Sequence, residues 1–218
     1  MNRLLLPQIY LAVIVLLLLP SCGRMADWVS DSFTQAPTLE SQCQSAQPYI
    51  KSTTTYDQFT TIAKFDALWL SDDVRMAYVD IFSLKFGKTE EQKKTLLRRQ
   101  LEENNHFISF YVLTSHDVPL GDTHSVWSVF LQVDTKNYAP IEVKSVELLP
   151  EYICMFDKKI NRFRVPYSVK FDAKNVDETP IITDETQEIK LVFRSVKREA
   201  TLSWSLPVQP IAAEKEDV

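Results

Sequence analysis

Apolar residues alternate with polar or small ones in four separate segments of the second half of the chain. The alternation begins at Trp127, Phe163, Ile189 and Ala200. Residues two apart share one face of a β-strand, so each segment predicts a strand that buries one side. An earlier segment, residues 107–113, is apolar on both faces and predicts a central strand. This pattern restricts the chain to a fold built mainly from strands.

Two positions suggest irregular strands. Pro166 has no backbone N–H to donate, which predicts that its strand lies at a sheet edge or contains a bulge. Between Val143 and Val146 the apolar alternation slips by one residue. A bulge near Lys144 and Ser145 would explain that slip.

The sequence from Tyr49 to Leu70 is rich in threonine and favours β-structure. Apolar residues alternate from Thr61 onward, which predicts a strand there. A helix is the alternative, with an apolar face formed by Phe59, Ile62, Phe65 and Trp69.

Two consecutive helices are predicted over residues 72–86 and 89–104. Ser71 can cap the first helix, and Gly87 is placed to end it in the left-handed conformation. Thr89 and Gln92 form a capping-box pattern at the start of the second helix. The charged side chains of the second helix favour a solvated face over a charged docking surface.

These elements predict one α+β domain, mostly β, with an inserted helical hairpin. Six or more strands separated by turn-rich spacers are typical of an antiparallel β-sandwich, and the arrangement resembles the immunoglobulin class. The cysteine–tryptophan signature of true immunoglobulin domains is missing from the sequence. The hairpin is expected after the first strands.

The N-terminus has the layout of a secretory signal. One basic residue, Arg3, precedes an apolar run over residues 4–19 and the step Pro20-Ser21-Cys22. As a helix this run would be about 24 Å long, shorter than the roughly 30 Å hydrocarbon core of a bilayer. An uncleaved anchor, or a secretion signal whose cysteine has no role, is the alternative.

Leu19-Pro20-Ser21-Cys22 resembles the lipobox of bacterial lipoproteins, although Pro20 departs from the commonest residue at its position. The resemblance implies cleavage before Cys22, lipidation of that cysteine and attachment to the membrane through its acyl chains. In the sorting pattern of enteric-type bacteria, Asp after the cysteine retains the protein at the inner membrane. Gly23 stands there and implies the outer membrane, with the domain facing the periplasm or the cell surface.

The chain is therefore expected to have four parts. Residues 1–21 are the signal peptide, residues 22–48 a flexible tether, residues 49–208 the folded domain and residues 209–218 an acidic tail. The tether is expected because its Ser, Gln, Thr and Pro residues show no sustained apolar period.

Composition excludes several function classes. The net charge of −5 offers no basic excess for nucleic acid and no polybasic patch for anionic lipid. The only glycines, Gly23, Gly87 and Gly121, are too widely spaced for a phosphate loop, a dinucleotide fingerprint or a serine elbow. We therefore expect no nucleotide and no other cofactor.

Once Cys22 is lipidated, Cys43 and Cys154 remain as an even pair in an oxidising compartment. This predicts a disulfide between them, and two unpaired thiols are the alternative.

Two histidines and two carboxylates occur close together between two predicted strands. They are His116, Asp117, Asp122 and His124. Such groups can ligate a divalent metal, or pair as a base with an orienting acid. Their spacing matches no established motif, and Asp, Pro and Gly also suit a simple turn. We expect a structural loop that carries neither metal nor catalysis.

The sequence thus predicts a lipid-anchored envelope protein with a non-enzymatic binding or structural domain. Its partner would be the membrane, through the lipid, and another envelope protein or polymer. A periplasmic hydrolase or metal-binding protein that uses the 116–124 loop is the alternative.

Overall fold

Two antiparallel β-sheets form the body of the molecule. The structure is a computed structural model and describes residues 39–58, 60–123 and 125–208. Within these residues one sheet has the strand order β1-β2-β3-β7-β6 and the other β5-β4-β8-β9. The strands are β1 (Ile50–Asp57), β2 (Thr60–Trp69), β3 (Phe107–Ser115), β4 (Ser128–Val133), β5 (Lys136–Tyr138), β6 (Glu142–Ser145), β7 (Arg164–Asp172), β8 (Glu188–Arg194) and β9 (Glu199–Ser205).

This architecture confirms the predicted fold class, an α+β antiparallel sandwich with a helical hairpin. The four described α-helices are α1 (Leu39–Ser45), α2 (Asp72–Phe86), α3 (Glu90–Asn104) and α4 (Pro150–Phe156). Helices α2 and α3 form the hairpin between β2 and β3, where it was expected. The segment beginning at Thr61 is a strand and not the alternative helix. β3 lies between β2 and β7, which confirms a central strand. The resemblance to the immunoglobulin class stays a prediction.

The core between the sheets consists of the residues that alternate inward. Phe65 of β2 stacks on Phe193 of β8, with ring centroids 4.0 Å apart. The rings of Trp127 and Phe65 are in a T-shaped arrangement, with centroids 5.2 Å apart. Trp204 is fully buried, and its indole N–H donates to the carbonyl oxygen of Tyr49 at 2.9 Å. A buried indole N–H needs such an acceptor, so this bond lets a large aromatic side chain fill the core.

Helices cover the opposite face of the five-stranded sheet and form a second core. Leu68 and Leu113 of the sheet are fully buried in this core, together with Met155 of α4. The ring of Tyr78 in α2 stacks on that of Tyr152 in α4, with centroids 4.8 Å apart. The five-stranded sheet is therefore buried on both faces, which explains why β3 is apolar throughout.

The helix ends follow the capping pattern expected from the sequence. Ser71 Oγ accepts the backbone N–H of Val74 at 3.4 Å. Thr89 and Gln92 form a complete capping box at the start of α3. Gly87 ends α2 with a φ of 58°, in the left-handed region that favours glycine.

The predicted irregularities around β6 and β7 are wrong. β7 pairs with both β3 and β6, so Pro166 does not lie on an edge strand, and its pairing with β3 is in unbroken register. Pro166 is tolerated because β6 ends beside it. There the carbonyl oxygen of Pro166 accepts the backbone N–H of Val146 at 3.0 Å. Lys144 and Ser145 pair in regular register with β7, and the apolar slip reflects the end of β6 at Ser145. A register shift instead occurs in β1, between Thr55 and Tyr56.

The predicted tether is wrong for residues 39–48, which are folded. Helix α1 lies there, followed by a 3-10 helix at Gln47–Tyr49. The predicted disulfide is confirmed: Cys43 of α1 is bonded to Cys154 of α4, with Cα atoms 5.7 Å apart. Ala46 is buried, and the Gln47 side-chain amide donates to the Met155 carbonyl at 2.8 Å. These tertiary contacts order a segment that has no apolar period of its own.

Several predicted features lie outside the described residues. They are the signal peptide, the lipobox with Cys22, residues 23–38 of the tether, His124 and the acidic tail. None of the helices in the described ranges has the length and apolar character needed to span a membrane.

Candidate ligand-binding cleft

A cleft of about 770 Å³ opens at one end of the sandwich. Six parts of the chain meet there: the 3-10 helix before β1, the end of β2, the start of α2, the turn from α3 into β3, the loop after β7 and the segment after β9. Its volume lies within the range of roughly 300–1,000 Å³ typical of small-molecule sites. The sheets position one wall, and the helical hairpin positions the other.

The floor of the cleft is apolar and partly aromatic. Trp69 and Phe107 are only half-buried, although neighbouring residues of their strands are fully buried. The ring of Tyr49 lies 6.1 Å from that of Trp69. Ile182, in the loop between β7 and β8, and Leu206, directly after β9, complete this surface. Half-exposed rings of this kind can contact an apolar or aromatic part of a ligand.

Two carboxylates stand beside this floor, at the N-terminus of α2. Asp72 and Asp73 are exposed in the first turn, where the helix dipole favours negative charge. Asp72 Oδ1 accepts the side-chain amide of Asn104 at 2.7 Å. Asp73 accepts the hydroxyl of Tyr49. Burial and this bond to Asp73 raise the pKa of Tyr49 well above its usual range, so the phenol stays protonated and donates.

The cleft combines an apolar floor with acceptors at one side and a cation at its rim. Lys174 is exposed there and pairs with Glu178 at 3.3 Å. Ser71 also lines the cleft, but its hydroxyl is engaged as the cap of α2. Among the described lining residues there is no histidine and no cysteine. This chemistry suits binding of a molecule with an apolar body and a hydrogen-bond donor.

Residues 116–123 of the candidate loop lie elsewhere, and two of them pack into the core between the sheets. The backbone N–H of His116 donates to the Phe163 carbonyl at 3.1 Å. Val118 and Leu120 are both buried, with 3% exposure each. In the described part of the chain, no three His, Cys, Asp or Glu side chains are grouped to hold a metal ion. His124 lies outside that part, so the structural role of the four candidate residues stays a prediction.

Sequence reasoning identified Ser71, Asp72 and Asp73 as a helix start but did not identify the cleft. Some floor residues, such as Trp69 and Leu206, lie more than a hundred positions apart, and no local pattern joins them. The only signal in the sequence was the position of aromatic residues at strand ends, and such residues are also common on ordinary surfaces.

Comparison with known proteins gives no relative: no family model, no curated protein and no solved structure matches the chain. Its function is therefore inferred from its residues and their geometry.

Proposed function

We propose that the chain is a lipid-anchored protein of the bacterial cell envelope that binds another envelope component in the cleft without chemically altering it. The cleft carries the proposal, because it has the volume and the mixed lining of a binding site. Its described lining contains no histidine and no cysteine, and its serine caps α2.

The disulfide supports an exported location. Disulfides persist in the periplasm and outside the cell and are rare in the cytosol. The bond between Cys43 and Cys154 joins two helices of one domain, as expected of a structural disulfide. It agrees with a signal peptide that is cleaved before Cys22. The residue after that cysteine, Gly23, favours the outer membrane in hosts that use the enteric sorting pattern.

Anchoring is tested by replacing Cys22 with Ala. We expect the variant to accumulate as a precursor or to appear in the soluble fraction, because no thiol remains to be alkylated. Membrane fractionation and intact mass measure both outcomes. A Cys22→Ala protein that stays on the membrane at the mature mass of the original chain would contradict lipid anchoring.

Binding in the cleft is tested by placing a photo-crosslinking amino acid at Asn105, an exposed residue of its rim. The matched control carries it at Lys197, which is also exposed but lies in the β8–β9 turn outside the cleft. Irradiation of intact cells should give a discrete adduct from position 105 that the control lacks. Ile182→Gln, which adds a polar group to the floor, should weaken that adduct.

Two results would contradict binding in the cleft. One is the absence of any adduct from position 105, and the other is the same adduct pattern from both positions. A saturable, histidine-dependent zinc isotherm lost in the His116→Ala, His124→Ala variant would instead favour the metal-binding alternative.

A further inference from the structure

A second cavity, of about 240 Å³, lies between the helices and the five-stranded sheet. Its lining is mostly polar and comes from α2, α3, α4 and three strands of the sheet. The polar lining residues include Arg75, Glu103, Ser109, Tyr111, Tyr152 and Lys170. It shares only Leu70 with the cleft and is therefore a separate site.

Arg75 is the most unusual residue of this cavity, because its guanidinium is 2% exposed and only partly paired. Its Nε donates to Asn104 at 2.5 Å, and its Nη1 donates to Gln100 at 2.8 Å and to Glu103 at 3.2 Å. Its Nη2 has no acceptor among the described residues. A buried donor on a charged group is costly to leave unpaired, so this nitrogen calls for an acceptor inside the cavity.

Ser109 supplies a second unpaired group in the same cavity. Its side chain is 1% exposed, and its hydroxyl has no partner among the described residues. Tyr111 and Tyr152 also line the cavity, and burial raises the pKa of both phenols. These hydroxyls stay protonated at neutral pH and can donate hydrogen bonds.

The charges around the cavity do not balance. Arg75 and Lys170 share a single carboxylate, Glu103, at 3.2 and 2.8 Å respectively. Lys144 adds a cation at the exposed side, where it pairs with Glu142 on the surface. With both of these pairs counted, the groups around the cavity carry one more positive than negative charge. A bound anion would neutralise that excess.

We propose that this cavity binds a small oxyanion, a carboxylate or a phosphate group, whose oxygens accept hydrogen bonds from Arg75 Nη2 and Ser109 Oγ. Charge-assisted bonds of this kind are stronger than neutral ones. The volume would hold roughly eight water molecules at about 30 Å³ each, which limits the ligand to a compact molecule. Lys144 and Leu149 are exposed at the border of the cavity and mark its entrance.

The test uses the full chain in detergent and isothermal titration with inorganic phosphate and with acetate, at constant ionic strength set by sodium chloride. We expect saturable binding of at least one of the two anions. Binding of phosphate alone, of acetate alone or of both supports the proposal, and the preferred anion identifies the chemical source of the oxyanion.

Ser109→Ala is the decisive variant, because it removes the hydroxyl without breaking any hydrogen bond within the described protein. We expect it to lower the affinity by about tenfold or more, the usual effect of losing a hydrogen bond to a charged group. The matched control is Ser83→Ala. The hydroxyl of Ser83 is also buried and unpaired, but it does not line the cavity.

Two outcomes would overturn the proposal. The first is the absence of saturable heat with either anion, which would mean that the cavity holds only water. The second is an equal effect of Ser109→Ala and Ser83→Ala on affinity, since the anion would then bind elsewhere. Unfolding curves of both variants establish that each is folded when it is titrated.

Discussion

At the scale of single residues, the buried pair of Asp66 and Arg164 holds three strands together. Asp66 is fully buried on β2, and the side chain of Arg164 on β7 is 6% exposed. The guanidinium donates to Asp66 and, at 2.9 Å each, to the carbonyl oxygens of Leu113 and Lys64. Asp66 Oδ1 has no further partner among the described residues. Removing either partner would leave a charge in the interior.

We expect Arg164→Met to lower the free energy of unfolding by about 3–5 kcal/mol, because Asp66 then stays buried without its counter-charge. Urea denaturation measures the change. The double variant Asp66→Leu, Arg164→Met should regain most of this loss, since neither charge is left alone. Glu142→Gln, in the exposed pair with Lys144, is the control and should change stability by less than about 1 kcal/mol. An equal loss in the single and double variants would contradict this interpretation.

At the scale of elements, Glu103 connects the helical hairpin to the sheet. It lies on α3 and pairs with Arg75 of α2 and with Lys170 of β7. Burial alone would raise the pKa of this carboxyl, but the hydrogen bond from Lys170 and the positive charge of Arg75 outweigh it. The net result is a pKa below the ordinary value of 4.5.

A lowered pKa predicts that acid weakens the attachment of the hairpin. The unfolded chain takes up the proton near the ordinary pKa of 4.5, and the folded protein takes it up only at lower pH. The stabilisation is therefore complete above about pH 5 and is lost as the pH falls through the folded pKa. Glu103→Gln should flatten this part of the stability–pH curve, measured by urea unfolding between pH 6 and 3. Glu102→Gln, at the exposed neighbouring position, should leave the curve unchanged, and identical curves for all three proteins would contradict the prediction.

Local patterns explain which elements could be predicted from the sequence. Helices α2 and α3 have capping residues at their ends, and the later strands alternate cleanly. Helices α1 and α4 have seven residues each, too few to show a period, and both depend on contacts made only in the folded state. Neither the cleft nor the second, polar cavity could be predicted from a local pattern, because each is lined by residues distant in sequence. In the sequence Arg75 is one more charged position on a predicted helix, and its burial depends on the sheet beneath it.

At the scale of the whole molecule, the disulfide closes most of the domain into one loop. Cys43 and Cys154 are separated by 111 positions, and the segment between them includes β1, β2, β3 and the helical hairpin. A link across so long a segment restricts the unfolded chain strongly.

We expect reduction of the disulfide to lower the free energy of unfolding by about 4–5 kcal/mol, according to the chain-entropy relation. Guanidinium denaturation with and without reductant measures the difference. The Cys43→Ser, Cys154→Ser variant should match the reduced protein and should not respond to reductant. A reductant effect in that variant, or none in the original chain, would contradict the prediction.

The position of the same bond also determines how the domain bears mechanical force. Strand β1 lies at the edge of its sheet, so tension applied directly to Ile50 would peel its hydrogen bonds from β2 one after another. Cys43 precedes Ile50, and a pull from the N-terminal side therefore reaches the covalent link first. The load passes into α4 at Cys154, and β1 is shielded from it. A domain held by its N-terminus would therefore keep β1 paired with β2 when a bound partner pulls on it.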